Sequence, residues 1–360
     1  MKKGSTNPIP SMTVGIDLGD RYSRTCLLDR EGEVVETGRI PTTRVGLTRR
    51  FGSLSPCRIA IEAGAQSRWV AQLLRDLGHE VLVANPRKVR AIYENDSKSD
   101  VVDAEMLARF ARFDAKLLRT VTQRSQDRQV HLAVVRARAA AVEARSRLIN
   151  HVRGVCKASG ERLPACYGPA FHHRAQDRVP QSLRPALDPI LQTILALTQA
   201  IRDYDAQIRS LVDATITEAQ PLATVPGVGP LTALAFVLTL DDPYRFPKSR
   251  SVGAFLGLRP RRDQSGDTDK QLPITKAGDV YLRSLLVNCA QYILGPFGAD
   301  SRLRRWGFTL AARGGKNAKK RAVVAVARKL TLILHHLWIT GEPYQPFPQT
   351  LHPRRPAVIA

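Results

Sequence analysis

Met12–Ile40 reads MTVGIDLGDRYSRTCLLDREGEVVETGRI and alternates apolar with polar or small residues in three short runs. The runs are Thr13–Leu18, Ser23–Leu28 and Val34–Ile40, and the polar turns GDRY and DREGE separate them. Period-two alternation broken by Gly- and Asp-rich turns predicts a three-stranded antiparallel meander. A fourth strand is expected at Arg58–Glu62, then a helix from Ser67 to Leu77 that Gly78 ends, then a fifth strand at Glu80–Ala84. A meander followed by alternating helix and strand is the pattern of a ribonuclease-H-like or actin-like α/β domain.

Strand parity places two acids. Val14, Ile16 and Leu18 share one face, so Asp17 lies on the other beside Gly15. Ile59 and Ile61 likewise leave Glu62 on the face of Ala60. Both acids close their strands, next to residues small enough to leave room for a ligand. Asp100 and Asp103 open an expected helix over 99–113, three apart and hence on one helical face. Each acid alone has an ordinary reading: Asp17 before Gly19 as a turn residue, Asp100 as an N-cap. Four together, in a chain with 55 Lys and Arg against 32 Asp and Glu, point to a metal-dependent phosphodiester site. A formal charge of +23 predicts salt-sensitive nucleic-acid binding, and an acidic knot on such a surface repels phosphate unless cations stand between them.

The rest of the composition narrows the classes. No run reaches the roughly 18 unbroken apolar residues of a membrane span, and MKKGSTNPIPSM has no apolar stretch behind its lysines, so neither a membrane protein nor a secretory signal is expected. Five cysteines without a CxxC pair suit reduced thiols in the cytoplasm. Cys156, Cys166, His172 and His173 match no common zinc spacing. Ser301–Leu330 holds ten basic residues and no acid: Arg302, Arg304, Arg305, Arg313, Lys316, Lys319, Lys320, Arg321, Arg328 and Lys329. This run predicts phosphate contact; Trp306 and Phe308 within it stack on bases or pack in the core.

Between the two ends lies a helical arm. From Arg124 to Lys157 the stripe Val130, Val134, Ala137, Ala141, Ala144, Leu148, Val152 and Val155 predicts one long helix. After a break over Gly160–Pro185, Leu187, Ile190, Ile194, Leu197, Ile201, Tyr204, Ile208 and Leu211 alternate spacings of three and four, a coiled-coil seam. It serves either packing within the chain or a second copy. Past Ala223, TVPGVGPLTALAFVLTL sets Gly227 and Gly229 in a turn between helices, in the manner of helix-hairpin-helix modules that hold phosphate on backbone N–H groups.

GIDLGDRYS, IAIEAG and KSDVVDAEMLARF resemble the RuvC-like DEDD domain of insertion-sequence transposases of the IS-one-ten family. VPGVGPLTA and the run from Arg245 through PITKAGD to Ala290 resemble that family's second domain, so the likeness covers residues 12–115 and 220–335. The resemblance implies an RNase-H/RuvC-like α/β domain, a coiled-coil arm and a mainly α-helical serine domain, bounded here as 1–118, 119–220 and 221–340, with an irregular tail at 341–360. It implies recombination of donor and target DNA guided by an element-encoded bridge RNA. It also implies Mg²⁺ on Asp17, Glu62, Asp100 and Asp103, and a homo-oligomer, a dimer assembling to a tetramer. Ser265, in DQSGD, becomes by this resemblance the nucleophile that forms a phosphoserine link; by the residues alone it reads as a turn serine. Arg259, Arg261 and Arg262 stand ready to clamp phosphate, with Thr275 and Lys276 of lesser rank and Tyr281 and Tyr292 as weaker nucleophiles.

Three other functions fit parts of the pattern. An actin-like ATPase or sugar kinase shares the GIDLG loop but needs a second phosphate hairpin and an adenosine segment that the chain does not show. A structure-specific nuclease uses the acids to activate water and leaves Ser265 idle. A non-catalytic nucleic-acid scaffold uses neither.

Overall fold

A computed structural model of the chain describes residues 11–86, 89, 99–265 and 268–348. Within these the chain forms two compact units that meet in sequence between Gln123 and Arg124. Residues 1–10 and 349–360, and with them the readings of the chain start and of most of the tail, lie outside the described residues.

The first unit is a five-stranded mixed sheet. The meander is β1 (Thr13–Asp17), β2 (Tyr22–Leu28) and β3 (Val34–Pro41); a helix that the sequence reading missed, α1 (Arg44–Phe51), follows it. Then come β4 (Arg58–Glu62), α2 (Ser67–Asp76), β5 (Glu80–Ala84) and α3 (Asp100–Phe113). The strand order is β3-β2-β1-β4-β5, with β1 antiparallel to β2 and parallel to β4. Residues of odd and even parity fill two different cores. Val14, Ile16, Ile59 and Ile61 pack with Leu47 and Phe51 of α1 and Val70 and Leu74 of α2. On the opposite face Cys26 and Leu28 meet Ala104 and Ala108, and Ala60 and Ala84 meet Leu107 and Ala111, all of α3. The sheet is thus sandwiched between helices, and the face of Gly15, Asp17, Ala60 and Glu62 belongs to α3.

The second unit is mostly helical. An antiparallel pair, α4 (Gln126–Ala158) and α6 (Arg184–Ser210), is joined through the short α5 (Phe171–Ala175). After it come α7 (Gln220–Ala223), α8 (Pro230–Leu240), α9 (Arg250–Phe255), a ribbon of β6 (Pro260–Ser265) and β7 (Thr268–Ile274), α10 (Val280–Leu294), α11 (Arg302–Ala311) and α12 (Ala318–Thr340). Its core surrounds α8, whose residues Thr232–Leu240 are all buried. Leu282, Leu286 and Ile293 of α10 and Val326, Leu330 and Leu334 of α12 pack there too. By length and apolarity α12 is the one helix among the described residues that passes for a membrane span, and half of its most apolar window is buried in this core.

The arm's stripes differ from those expected. α4 buries Leu132, Val135, Arg145, Ile149, Val152 and Cys156, while Val130 is 59% exposed. α6 buries Leu187, Leu191, Ile194, Thr198, Ile201 and Ile208. Leu187, Ile194, Ile201 and Ile208 keep the seven-residue spacing, but between them Leu191 and Thr198 are buried while Ile190 and Leu197 are half-buried. Arg138 pairs with Asp205 at 2.7 Å, and Arg145 Nη1 donates to Thr198 Oγ1 at 3.4 Å. The seam is therefore occupied by α4 of the same chain.

Candidate active site

β1 and β4 run side by side in register from Thr13–Arg58 to Ile16–Ile61, so one further step brings Asp17 and Glu62 level at the carboxyl ends of adjacent parallel strands. α3 crosses this face antiparallel to them. Ala104 lies against Gly15, and Arg58 Nη1, at the start of β4, donates to the Ala111 carbonyl at 3.2 Å. From the Gly15–Ala104 contact, Asp17 is two strand residues on, about 7 Å. Asp100 is four helical residues on in the same direction, about 6 Å. The first turn of α3 thus hangs over the edge where Asp17 and Glu62 end.

That turn is built to carry negative charge. The Ser99 hydroxyl accepts from Val102 N at 3.3 Å and its carbonyl from Asp103 N at 3.0 Å, a capping arrangement worth about 1 kcal/mol. Asp100 and Asp103 sit in the first turn, where the helix dipole favours anions. Asp103 is buried at 8% exposure, Asp100 is exposed, and Asp17 and Glu62 are half-buried. Four carboxylates are hard oxygen donors of the kind that divalent cations take, and the small Gly15 and Ala60 let α3 pack close on the strands that two of them end. The donor set therefore fits a divalent ion in kind. Among the described residues no three His, Cys, Asp or Glu side chains already close on one point, at this edge or around Cys156 and His172. The backbone brings the four acids to the same end of the sheet.

Ser265 ends β6, at the exposed tip of a ribbon that sequence reading had taken for a loop. The ribbon's base is held firmly. Thr275 N donates to Arg259 O at 2.9 Å and Lys276 N to Gly257 O at 3.1 Å. Arg283, from α10, donates to the carbonyls of Leu256 and Ala277 at 3.0 and 2.7 Å. Gly257 and Gly278 have positive φ, and a Cβ on either would meet backbone at 2.2 and 2.1 Å, so the base admits only glycine. Lys276 also has positive φ, 54°, uncommon outside glycine.

Cross-strand pairing sorts the ribbon's side chains. Ser265 pairs with Thr268, and two residues back Asp263 pairs with Lys270, so Asp263 and Lys270 share the serine's face. The sequence reading passed over both, because the face exists only once the register is known. Arg262 lies on the other face, gripped by Asp269 at 2.6 and 2.5 Å, which holds the Asp269 carboxyl below its ordinary range and gives that acid a role. Asp267 and Gly266 lie outside the described residues.

The tyrosines are occupied elsewhere. Burial pushes the Tyr281 phenol up, the wrong direction for a nucleophile, and Arg136 lies over its ring at 5.2 Å. Tyr292 packs at Gly227, where a Cβ would come within 2.6 Å of its ring. Gly229 caps α8 without a side-chain bond, but α7 before it is a single turn, so one full helix flanks that loop. The basic run divides likewise. Arg304 donates to the carbonyls of Ile293 and of Gly295, the latter at 2.7 Å, and so finishes α10; Arg305 clasps Asp300 and lies over Phe347 at 4.9 Å. Lys316, Lys319, Lys320 and Arg321 have no carboxylate partner among the described residues.

A sheet ending two acids on adjacent strands, a helix adding two more, and a basic run in the second unit accord with an enzyme that handles nucleic acid. Residues 14–158 match the DEDD transposase family of IS110 elements, described as "Transposase", and residues 219–302 match the "Transposase IS116/IS110/IS902 family". The chain is 29% identical over 346 residues to the transposase for insertion sequence element IS1111A of Coxiella burnetii, covering 92% of this chain and 91% of that protein. It is 29% identical over 305 residues to the transposase for insertion sequence element IS1328 of Yersinia enterocolitica, covering 83% and 89%. The y4pF/y4sB protein of Sinorhizobium fredii is 30% identical over 319 residues, covering 85% and 80%. The chain belongs to the IS110 family of insertion-sequence transposases.

Proposed function

We propose that this transposase cuts and exchanges DNA strands with Ser265 as nucleophile and Asp17, Glu62, Asp100 and Asp103 as the ligands of Mg²⁺. The observation that carries the reading is the meeting of the β1 and β4 ends with the first turn of α3, which sets all four acids at one sheet edge. An ion held by these four carboxylates would supply neutralisation of the phosphate oxygens and of charge on the attacking and departing oxygens. The chain's own groups do the rest. Ser265 Oγ forms a bond to the scissile phosphorus, the bond from phosphorus to the departing deoxyribose oxygen breaks, the hydroxyl proton passes to a base, and the departing oxygen gains a proton. The count of phosphate ester bonds is conserved, so the reverse step rejoins strands without ATP. Lys270, on the serine's face of the ribbon, and Arg261 and Arg259 farther along the chain hold the phosphate; Lys276 serves at the ribbon's base. Guidance by an element-encoded RNA, assembly of protomers through the arm, and action in the cytoplasm complete the proposal. A chain that reads shape and backbone accords with cations spread over helices and ribbon rather than a single base-reading helix.

The test is an SDS-resistant adduct assay with the full chain, RNA from the element's flanks, labelled donor and target DNA, and Mg²⁺. An adduct mapped to Ser265 that needs metal and RNA is the expected result. Metal-dependent cleavage without an adduct would instead make the chain a water-using nuclease.

A further inference from the structure

A groove of about 600 Å³ opens between α11, α12 and the segment 342–348, and neither the four acids nor the serine ribbon lines it. Its volume is that of a small-ligand site, roughly 300–1,000 Å³. The floor is apolar, from Leu303, Ile333 and Leu337. Trp306 stands at its side with 39% of its surface exposed, and Lys329 Nζ lies over the indole at 5.9 Å. Arg302 shares the rim, and neither Arg302 nor Lys329 pairs with a carboxylate among the described residues. The outer wall is tied down: Arg302 N donates to Pro346 O at 2.9 Å, and Tyr344 N to Thr224 Oγ1 at 2.8 Å. Phe308, the other aromatic of the basic run, is taken by Arg304 at 4.8 Å from its ring.

We infer that this groove holds one unpaired nucleotide of the DNA strand being processed, its base against Trp306 and its phosphate at Lys329 and Arg302. Charge complementarity selects the occupant: a flat apolar ring joined to an anion matches an apolar floor, a part-exposed indole with Lys329 beside it, and Arg302, two cations against the single acid Glu342 in the lining. Ten basic residues without an acid over Ser301–Leu330 favour an anionic partner over a cationic one. The groove is too small for a duplex, and a base offers its face to an indole only once it leaves the stack. This inference rests on the chain's being a DNA-processing transposase and is independent of Ser265 and of metal.

The experiment uses full-length protein without Mg²⁺ and single-stranded DNA carrying 5-iododeoxyuridine at successive positions, photocrosslinked and mapped by peptide mass spectrometry. The expected crosslink is at Trp306 or Tyr344, and it is absent with duplex. Trp306→Ala should weaken single-strand binding roughly 5- to 150-fold, with Trp306→Phe restoring most of it. Lys329→Ala should flatten the salt dependence by about 0.7 in slope. Crosslinks only to other surfaces of the wild-type chain would overturn the inference, whatever the variants do. So would wild-type affinity in a folded Trp306→Ala, or crosslinking by an RNA of the same sequence but not by the DNA. Because no cleavage is read, a failed adduct at Ser265 and a failed crosslink at Trp306 are separate results.

Discussion

Gly15 and Ala104 touch backbone to backbone: a methyl group placed on Gly15 would lie 1.9 Å from the Ala104 carbonyl oxygen and 2.6 Å from Ala108 N. No rotamer relieves such a clash, so α3 must lift from the sheet and take Asp100 and Asp103 with it. Gly15→Ala is expected to cost about 1–3 kcal/mol in denaturant unfolding, the range of an overpacked core, and to abolish metal-dependent cleavage. Gly64, where a Cβ meets nothing within 4 Å, is the control; Gly64→Ala should leave stability near wild type. A Gly15→Ala protein as stable and active as wild type would remove the helix docking as the device that gathers the acids.

Asp17 and Glu62 end their strands half-buried, so the amides Asn and Gln fit the same space with one charge fewer. Asp17→Asn and Glu62→Gln should each slow strand cleavage by a factor of about 100 or more, since ligand loss removes several kcal/mol of charge stabilisation. Single-strand and RNA affinity should hold or rise slightly. Gel-based cleavage beside filter binding reads both, and cleavage at the wild-type rate by either variant would end the metal-site argument.

Within the basic run, position in the fold separates two kinds of arginine and lysine. Arg304 completes the carboxyl end of α10, so Arg304→Ala leaves half-buried carbonyls without a donor and should cost about 1 kcal/mol in unfolding free energy. Lys319 and Lys320, exposed at the start of α12, should leave stability unchanged on mutation to Ala. Each should lower the slope of log affinity against log salt for duplex DNA by about 0.9. Titration of binding between low and moderate salt, paired with thermal melts, tells the two groups apart.

Lys276 keeps a left-handed backbone at the foot of the serine ribbon, beside Gly257 and Gly278. An L side chain there costs roughly 1–2 kcal/mol that glycine avoids. Lys276→Gly should therefore raise stability by up to about 1 kcal/mol while lowering recombination, if the ammonium serves DNA; Lys276→Arg should keep both near wild type. A more stable Lys276→Gly chain of full activity would assign that lysine no part in the reaction.

What could be read from the sequence followed from short-range geometry. Strand alternation put Asp17 and Glu62 on the face opposite Ile16 and Ile61, and helical spacing put Asp100 with Asp103; both rules act over a few residues. The Arg262–Asp269 pair, and the Lys270 that shares a face with Ser265, depend on a pairing register across a turn, which a polar stretch such as PRRDQSGDTDKQ does not mark by apolar alternation. The stripe of α4 was misplaced for a different reason. Its many alanines make several helical faces equally apolar, and which one is buried is decided by α6, 53 residues away at the Arg145–Thr198 contact. Leu132 and Val135 won because they also meet the core around α8.

That choice of face changes what the seam of α6 can test. Ile194 and Ile201 are buried at 0% and 5% exposure against the chain's own α4, so an aspartate at either must lose its charge or break the arm. Ile194→Asp with Ile201→Asp is expected to cost several kcal/mol, seen as an early unfolding transition, before any question of assembly arises. Leu195, adjacent but 37% exposed, is the residue that a second copy could cover. Leu195→Asp should keep stability within about 0.5 kcal/mol of wild type. If protomers assemble along this strip, light scattering of Leu195→Asp should show a smaller particle with an unchanged melt. An unchanged mass would leave the strip to solvent and move assembly to another face, while a wild-type melt from the double aspartate variant would show that α4 and α6 do not pack as described.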